Sequence, residues 1–171
     1  MNTQVRIYPD PVLRRVADSV ENIDESIKKL IATMFEVMKL EGGVGLAAPQ
    51  IGVNKRVIVI SIDEKGFERF ALINPVIDFF SDRKSKMEEG CLSVPGIRAD
   101  VKRPSKIVVS GVGRSGRQIS LETGGLLARV IQHEVDHLNG VLFIDRISEK
   151  EKKRIFEDLN MLINRANSSV R

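Results

Sequence analysis

Only two histidines occur in the chain, and both fall within His133-Glu134-Val135-Asp136-His137. On a helix, residues four apart stand one turn above each other, so the two imidazoles can reach a single metal ion. Glu134, between them, projects close enough to handle the proton of a water on that ion. A catalytic ion of this kind keeps three protein ligands and one open position, so a third ligand must come from elsewhere. Cys91 is the only cysteine and lies in Glu89-Gly90-Cys91-Leu92-Ser93, a Gly- and Pro-flanked turn between strands. A thiolate with two imidazoles is a sound ligand set for Zn2+ or Fe2+. The other candidate is Glu157, twenty positions beyond His137, although the charged segment around it also suits a solvated helix face.

A third group of residues is Gly43-Val44-Gly45-Leu46-Ala47-Ala48-Pro49-Gln50. Read loosely it matches a dinucleotide-binding fingerprint, with Asp63 as the acidic residue beyond a strand. The order of elements excludes that reading. The glycines follow a helix instead of a strand, and the few residues between Pro49 and Val57 leave no room for a crossover helix. No Gly-Lys-Ser/Thr phosphate loop occurs either. Glycines at 43 and 45 suit backbone that comes close to a ligand, and Gln50 offers an amide donor that keeps its protons at any pH.

The rest of the sequence must position these groups. From Asp24 to Leu40, Ile27, Leu30, Ile31, Met34, Phe35 and Met38 share one helical face, with Asp24 as N-cap and Gly42 and Gly43 just past the end. Between Arg56 and Thr123 the texture changes to short apolar or alternating runs: 57–62, 70–73, 76–80, 97–101, 107–112 and 118–122. Gly, Pro, Asn or Asp separates them, and they read as antiparallel strands. Helical spacing returns over 125–138 with Gly140 as C-cap, and Ser148-Glu149-Lys150-Glu151 opens a last helix through Ile155, Leu159 and Leu162 to about Asn167. A helix, a block of strands and two helices predict an α+β fold, its antiparallel strands packed around a central helix carrying the two histidines.

At 171 residues the chain is expected to form a single catalytic domain, 1–171. Hydrophobic residues at 42% and charged residues at 29% are the ordinary globular mix, which excludes disordered, fibrous and disulfide-scaffold classes. The longest apolar run, 57–62, is far short of the ~20 residues that cross a bilayer. Residues 1–10 lack a basic start followed by an apolar run, so neither a signal peptide nor a membrane partner is expected. One cysteine cannot make an internal disulfide, which points to the cytoplasm. A net charge of +4 is too mild to indicate nucleic acid by itself, and DNA is not expected as a partner.

In order and approximate spacing, the Gly43–Gln50, Glu89–Ser93 and Gln132–His137 segments resemble the three-motif signature of the peptide deformylase family, and the resemblance spans most of the chain. It implies Cys91, His133 and His137 as metal ligands and Glu134 as the catalytic acid/base. It implies Gln50 and the backbone N–H of Leu92 as donors facing a formyl oxygen. An apolar slot for a methionine side chain is implied around Val44, Met87, Leu126, Val130 and the His133 ring. Backbone pairing along Gly43 to Gly45 and at Gly90 would hold the peptide, with Arg98 beside its downstream part. The implied substrates are N-formyl-methionyl nascent peptides, and the implied ion is Fe2+, with Zn2+, Ni2+ and Co2+ suiting the same donors. The resemblance also suggests ribosome contact through the basic C-terminal helix, which carries Lys150, Lys152, Lys153, Arg154 and Arg165.

Two rival readings stand beside it. One is a small HExxH zinc metallopeptidase with Glu157 as third ligand. The other is a metal-stabilised module that binds ribosomes or RNA through the same basic cluster. The second would need an ion closed in by four protein ligands, and no fourth is evident.

Overall fold

A computed structural model describes residues 4–62 and 69–168, so Asp63 lies outside the described residues. The Asp24 carboxylate accepts the backbone N–H of Ile27 at 3.0 Å, satisfying one of the donors that a helix start leaves free. From that cap α1 runs Glu25–Leu40 and buries Ile27, Ile31, Met34, Phe35 and Met38. Leu30, expected on the same face, is half-buried at its margin. The strands are β1 Gly45–Ala47, β2 Val57–Ile60, β3 Phe70–Phe80, β4 Lys84–Cys91, β5 Val94–Pro104, β6 Lys106–Val112 and β7 Gln118–Gly124. Helices α2 Gly125–Leu138 and α3 Glu149–Ser168 complete the order.

Five strands pair in the order β1-β2-β3-β6-β7, antiparallel throughout, and β4 and β5 form a separate antiparallel hairpin. Both faces of the larger sheet are covered, which explains why β2 reads as an unbroken apolar run. Its Ile58 and Ile60 pack with Leu127, Ile131 and Val135 of α2, whereas Val57 and Val59 pack with Ile31, Met34 and Met38 of α1. A third cluster joins Val94, Ile97, Ala99 and Val101 of β5 to Leu13, Phe143 and Ile155. Through Ile155, Leu159 and Leu162, α3 packs on that cluster and against β5. No described helix is long and apolar enough to cross a membrane.

The strand expectations change in several places: β1, over Gly45–Ala47, was not among the expected runs, and the run 97–101 is part of the longer β5, Val94–Pro104. The run 57–62 leaves the ladder after Ile60. The runs 70–73 and 76–80 are one strand, β3, interrupted by a register shift between Ile73 and Val76. There Asn74 adopts φ 51°, and its side-chain amide donates to the carbonyl of Val20 at 2.8 Å and accepts its N–H at 2.9 Å. Pro75 falls at the irregularity, where no ladder donor is needed. Strand β4 was not expected, because Lys84, Ser85, Lys86 and Glu88 face water and only pairing with β5 makes it a strand.

Past α2, Gly140 has φ 69°, and a Cβ there would lie 2.5 Å from the carbonyl oxygen of Arg14. Gly140→Ala is therefore expected to cost about 3 kcal/mol, from the left-handed backbone and the collision together. Thermal denaturation should show Tm falling by roughly 6–12 °C for a chain of this size.

Candidate active site

Strands β4 and β5 turn at Leu92-Ser93, which leaves Cys91 at the tip of the hairpin against α2. Cys91 Sγ stands 3.2 Å from His137 Nε2, and one ligand atom from each of Cys91, His133 and His137 lies within 4.8 Å of the others. The sulfur also receives the backbone N–H of Ser93 at 3.4 Å and Gln50 Nε2 at 3.5 Å. Gln50 is fixed from its other end, where Oε1 accepts the N–H of Ala47 at 2.8 Å. Its Nε2 consequently points at Cys91 and at Ser93 Oγ, 3.2 Å away. The requirement for glycine at 45 is steric: a Cβ there would collide with the Glu134 carboxylate and with Val130. Backbone and carboxylate thus close in on the cluster from two sides.

Glu134 is 4% exposed, and its Oε2 has no hydrogen-bond partner among the described residues. Burial pushes its carboxyl up to about 7, against the pull of the positive charges on His133 and Arg103. For His133 burial acts downward, but hydrogen bonds to Cys91 and Glu89 prevail and raise it to about 10. Burial holds His137 well below its ordinary value, helped by the charges of His133 and Arg103. His137 therefore faces the sulfur as a neutral imidazole. One soft donor and two nitrogen donors converge beside an unpaired buried carboxylate oxygen. That set fits a divalent ion with an open position.

Behind the cluster lies a charged network that motif reading missed. Glu89 Oε2 holds His133 Nδ1 at 3.0 Å, which orients the ring. Arg103 grips Glu89 with two bonds of 2.7 and 2.9 Å and reaches Asp136 at 2.7 Å. Arg129 donates to Glu89 at 2.6 Å, and to the carbonyls of Val101 and Ser85 at 3.1 and 2.8 Å. Arg146 closes the network on Asp136 with bonds of 2.7 and 2.5 Å. A signal for Arg103 exists in the period of β5, since Ile97, Ala99 and Val101 are buried and position 103 continues that row. Arg129, four residues before His133, shares its helix face.

A cleft of about 660 Å³ opens on the cluster and is bordered by Val44, Gly45, Gln50, Met87, Gly90, Cys91, Leu92, Arg98, Leu126, Val130, His133 and Glu134. All the site residues that the family resemblance implies meet there except His137, which is buried behind it. Val44, Met87 and Leu126 are exposed apolar side chains on its walls. Arg98 lies across Gly90 and donates to Glu88 at 2.7 Å. The rival ligand Glu157 is not brought in. It is exposed on α3, whose packing face is taken by Ile155, Leu159 and Leu162, so its side of the helix faces solvent.

The model of the family described as polypeptide deformylase matches residues 2–153. The peptide deformylase of Cellvibrio japonicus is 47% identical over 148 residues, 86% of this chain and 88% of its own length. That of Brachyspira hyodysenteriae is 45% identical over 169 residues, covering 96% and 90%. The crystallised peptide deformylase of Plasmodium falciparum superposes with a TM-score of 0.92 at 39% identity, covering 96% of this chain and 98% of that one. A Synechococcus elongatus peptide deformylase in complex with actinonin gives 0.84 at 40% identity, covering 96% and 85%.

Glu89→Ala would leave Arg129 buried without a carboxylate and Arg103 with Asp136 alone, and is expected to cost about 3–5 kcal/mol. Burial acts to raise the Glu89 carboxyl, but the hydrogen bonds from His133 and Arg103 outweigh it and hold the group well below the usual range. The stabilisation is therefore full above the unfolded-state value of about 4.3 and is lost as pH falls through the depressed folded value. Denaturation of wild type and Glu89→Gln at pH 7 and pH 3 should show the gap between them narrowing in acid.

Proposed function

This chain belongs to the polypeptide deformylase family and removes the N-formyl group from nascent polypeptides, and we propose that Cys91, His133 and His137 hold the working ion while Glu134 moves the protons. One observation carries this assignment. The three ligand atoms converge within 4.8 Å, beside a carboxylate oxygen that is buried without a partner, on the wall of an apolar cleft. Fe2+ is the ion we assign, on the family resemblance, while Zn2+, Ni2+ and Co2+ suit the same ligands. When bound, a divalent ion supplies Lewis acidity and lowers the pKa of its water to about 7.

The residues of the chain account for the remaining chemistry. Glu134, its carboxyl near 7, takes the proton released as water oxygen adds to the formyl carbon, and returns it to the leaving amine. The C–N bond breaks, formate leaves, and Glu134 ends the cycle as it began. Negative charge that develops on the formyl oxygen is met by Gln50 Nε2 and the N–H of Leu92, and one such donor is worth ~10²–10³ in rate. Val44, Met87, Leu126 and Val130 receive the methionine side chain. The backbone at Gly45 and Gly90 pairs with an extended peptide irrespective of its sequence, and Arg98 meets the downstream part.

The catalytic unit is the whole chain, 1–171, with α2 as the element around which its site is arranged, and its compartment is the cytoplasm. Contact with a ribosome through α3 rests on Lys150 and Lys153. Lys152 and Arg154 are already paired with Glu149 and Glu151 in the helix.

Anaerobic purification, metal analysis and formate release from formyl-Met-Ala-Ser test the assignment. Glu134→Gln should retain the ion and lose ~10²–10⁴ of the rate. Cys91→Ser should lose the ion, and Glu157→Ala should change neither. In air, an Fe2+ form should lose activity faster than a Ni2+ form as iron or thiolate oxidises.

A further inference from the structure

A second cavity, of about 440 Å³, shares no bordering residue with the active-site cleft. Arg56, Lys84, Lys102, Arg103 and Arg146 surround it, and Asp136 is the only carboxylate on its walls. The network behind it does not balance this charge. Among the described residues, Arg103, Arg129 and Arg146 bond to only two carboxylates, Glu89 and Asp136, and Asp145 adds an attraction at Arg146 without a bond. Arg146 binds Asp136 through Nε and Nη2, which leaves Nη1 for another acceptor.

The outer cations are less satisfied still. The side chains of Lys84 and Lys102 have no hydrogen-bond or ion-pair partner among the described residues. Lys102 stands directly opposite Lys86 across the hairpin, an arrangement of like charges that destabilises a ladder, and Asp100 relieves it only at Lys86. Arg56 is half-buried, yet its partners are uncharged: the carbonyls of Leu138 and Pro75 at 3.4 Å and the Asn139 side-chain oxygen at 3.0 Å. Its contact with Leu138 also offsets the negative end of α2, which would otherwise repel an anion here. Pro75, Val76, Ile77 and Phe80 form an apolar side of the cavity, Gln132 and Asn139 add uncharged polar groups, and Phe80 is 49% exposed.

Uncompensated cations around a compact cavity call for a ligand with several negative charges, and an exposed aromatic wall calls for a ring. We propose that this cleft binds a nucleoside polyphosphate, its phosphates among Arg56, Lys84, Lys102 and Arg146 and its base against Phe80. A single mononucleotide suits the enclosed volume better than a nucleic-acid strand, which needs a groove that continues past the site. No glycine-rich loop lends backbone N–H groups, so recognition rests on side-chain charge and weakens with salt.

The test uses the metal-loaded enzyme at low salt and the fluorescence anisotropy of mant-ATP as its magnesium complex. Binding should saturate, and ATP should displace the probe more strongly than inorganic tripolyphosphate. The double variant Lys84→Glu, Lys102→Glu should weaken binding at least tenfold, whereas Lys29→Glu, Lys39→Glu on α1 should not. Formate release from a free formyl tripeptide should be the same in all three proteins. No binding at low salt, or equal weakening by both double variants, would overturn the proposal. Displacement of the probe by the product peptide Met-Ala-Ser would put it in the active-site cleft and overturn it as well. So would displacement by a uridine decamer at lower phosphate concentration than ATP, which would assign the cleft to RNA.

Discussion

Burying an ionised carboxylate is costly unless partners meet its charge, and Glu89, only 6% exposed, is the group whose satisfaction the site depends on. Arg103 comes from β5, Arg129 and His133 from α2, and all three converge on it. The hairpin that presents Cys91 is thereby locked to the helix that presents both histidines. Asp136 repeats the device one step away, sharing Arg103 and adding Arg146. An ion site built from two separate elements needs its donors held to fractions of an ångström. Bidentate arginine contacts in a dry interior supply that precision better than apolar packing would.

The larger sheet does a complementary job. With α1 and α2 on opposite faces, β1 and β2 are buried from both sides and cannot shift relative to α2. That rigidity lets Gly45 and Gln50 approach the cluster from the edge of the sheet, and the absence of a Cβ at 45 leaves room for the Glu134 carboxylate. Burial then raises Glu134 toward neutrality, where a carboxyl group exchanges protons most effectively. The same packing that orders the site thus also tunes it.

Much of this was legible in the chain itself. The His133, Glu134 and His137 spacing, the lone Cys91 and the Gly43–Gln50 segment are local patterns, and short-range geometry dictates what they can do. Helices α1, α2 and α3 follow from 3.6-residue periodicity and caps such as Asp24, because helical hydrogen bonds close within the segment. The sequence alone left Cys91 and Glu157 as competing ligands. Local pattern cannot say which distant residue meets His133, and only the packing of the β4–β5 hairpin on α2 brings Cys91, and not Glu157, to the histidines.

Strand β4 shows the same limit. Its polar residues carry no strand signal, and it exists because β5 offers a ladder to pair with. The arginines around Glu89 and Asp136 lie 14, 40, 33 and 10 residues from the carboxylates they bind. Such pairings belong to no motif, because an arginine in a sequence looks solvated until the fold removes water from it. The sequence determined which chemistry the chain could perform. The tertiary structure decided which charges are buried together, and therefore which side chains are held rigidly enough to perform it.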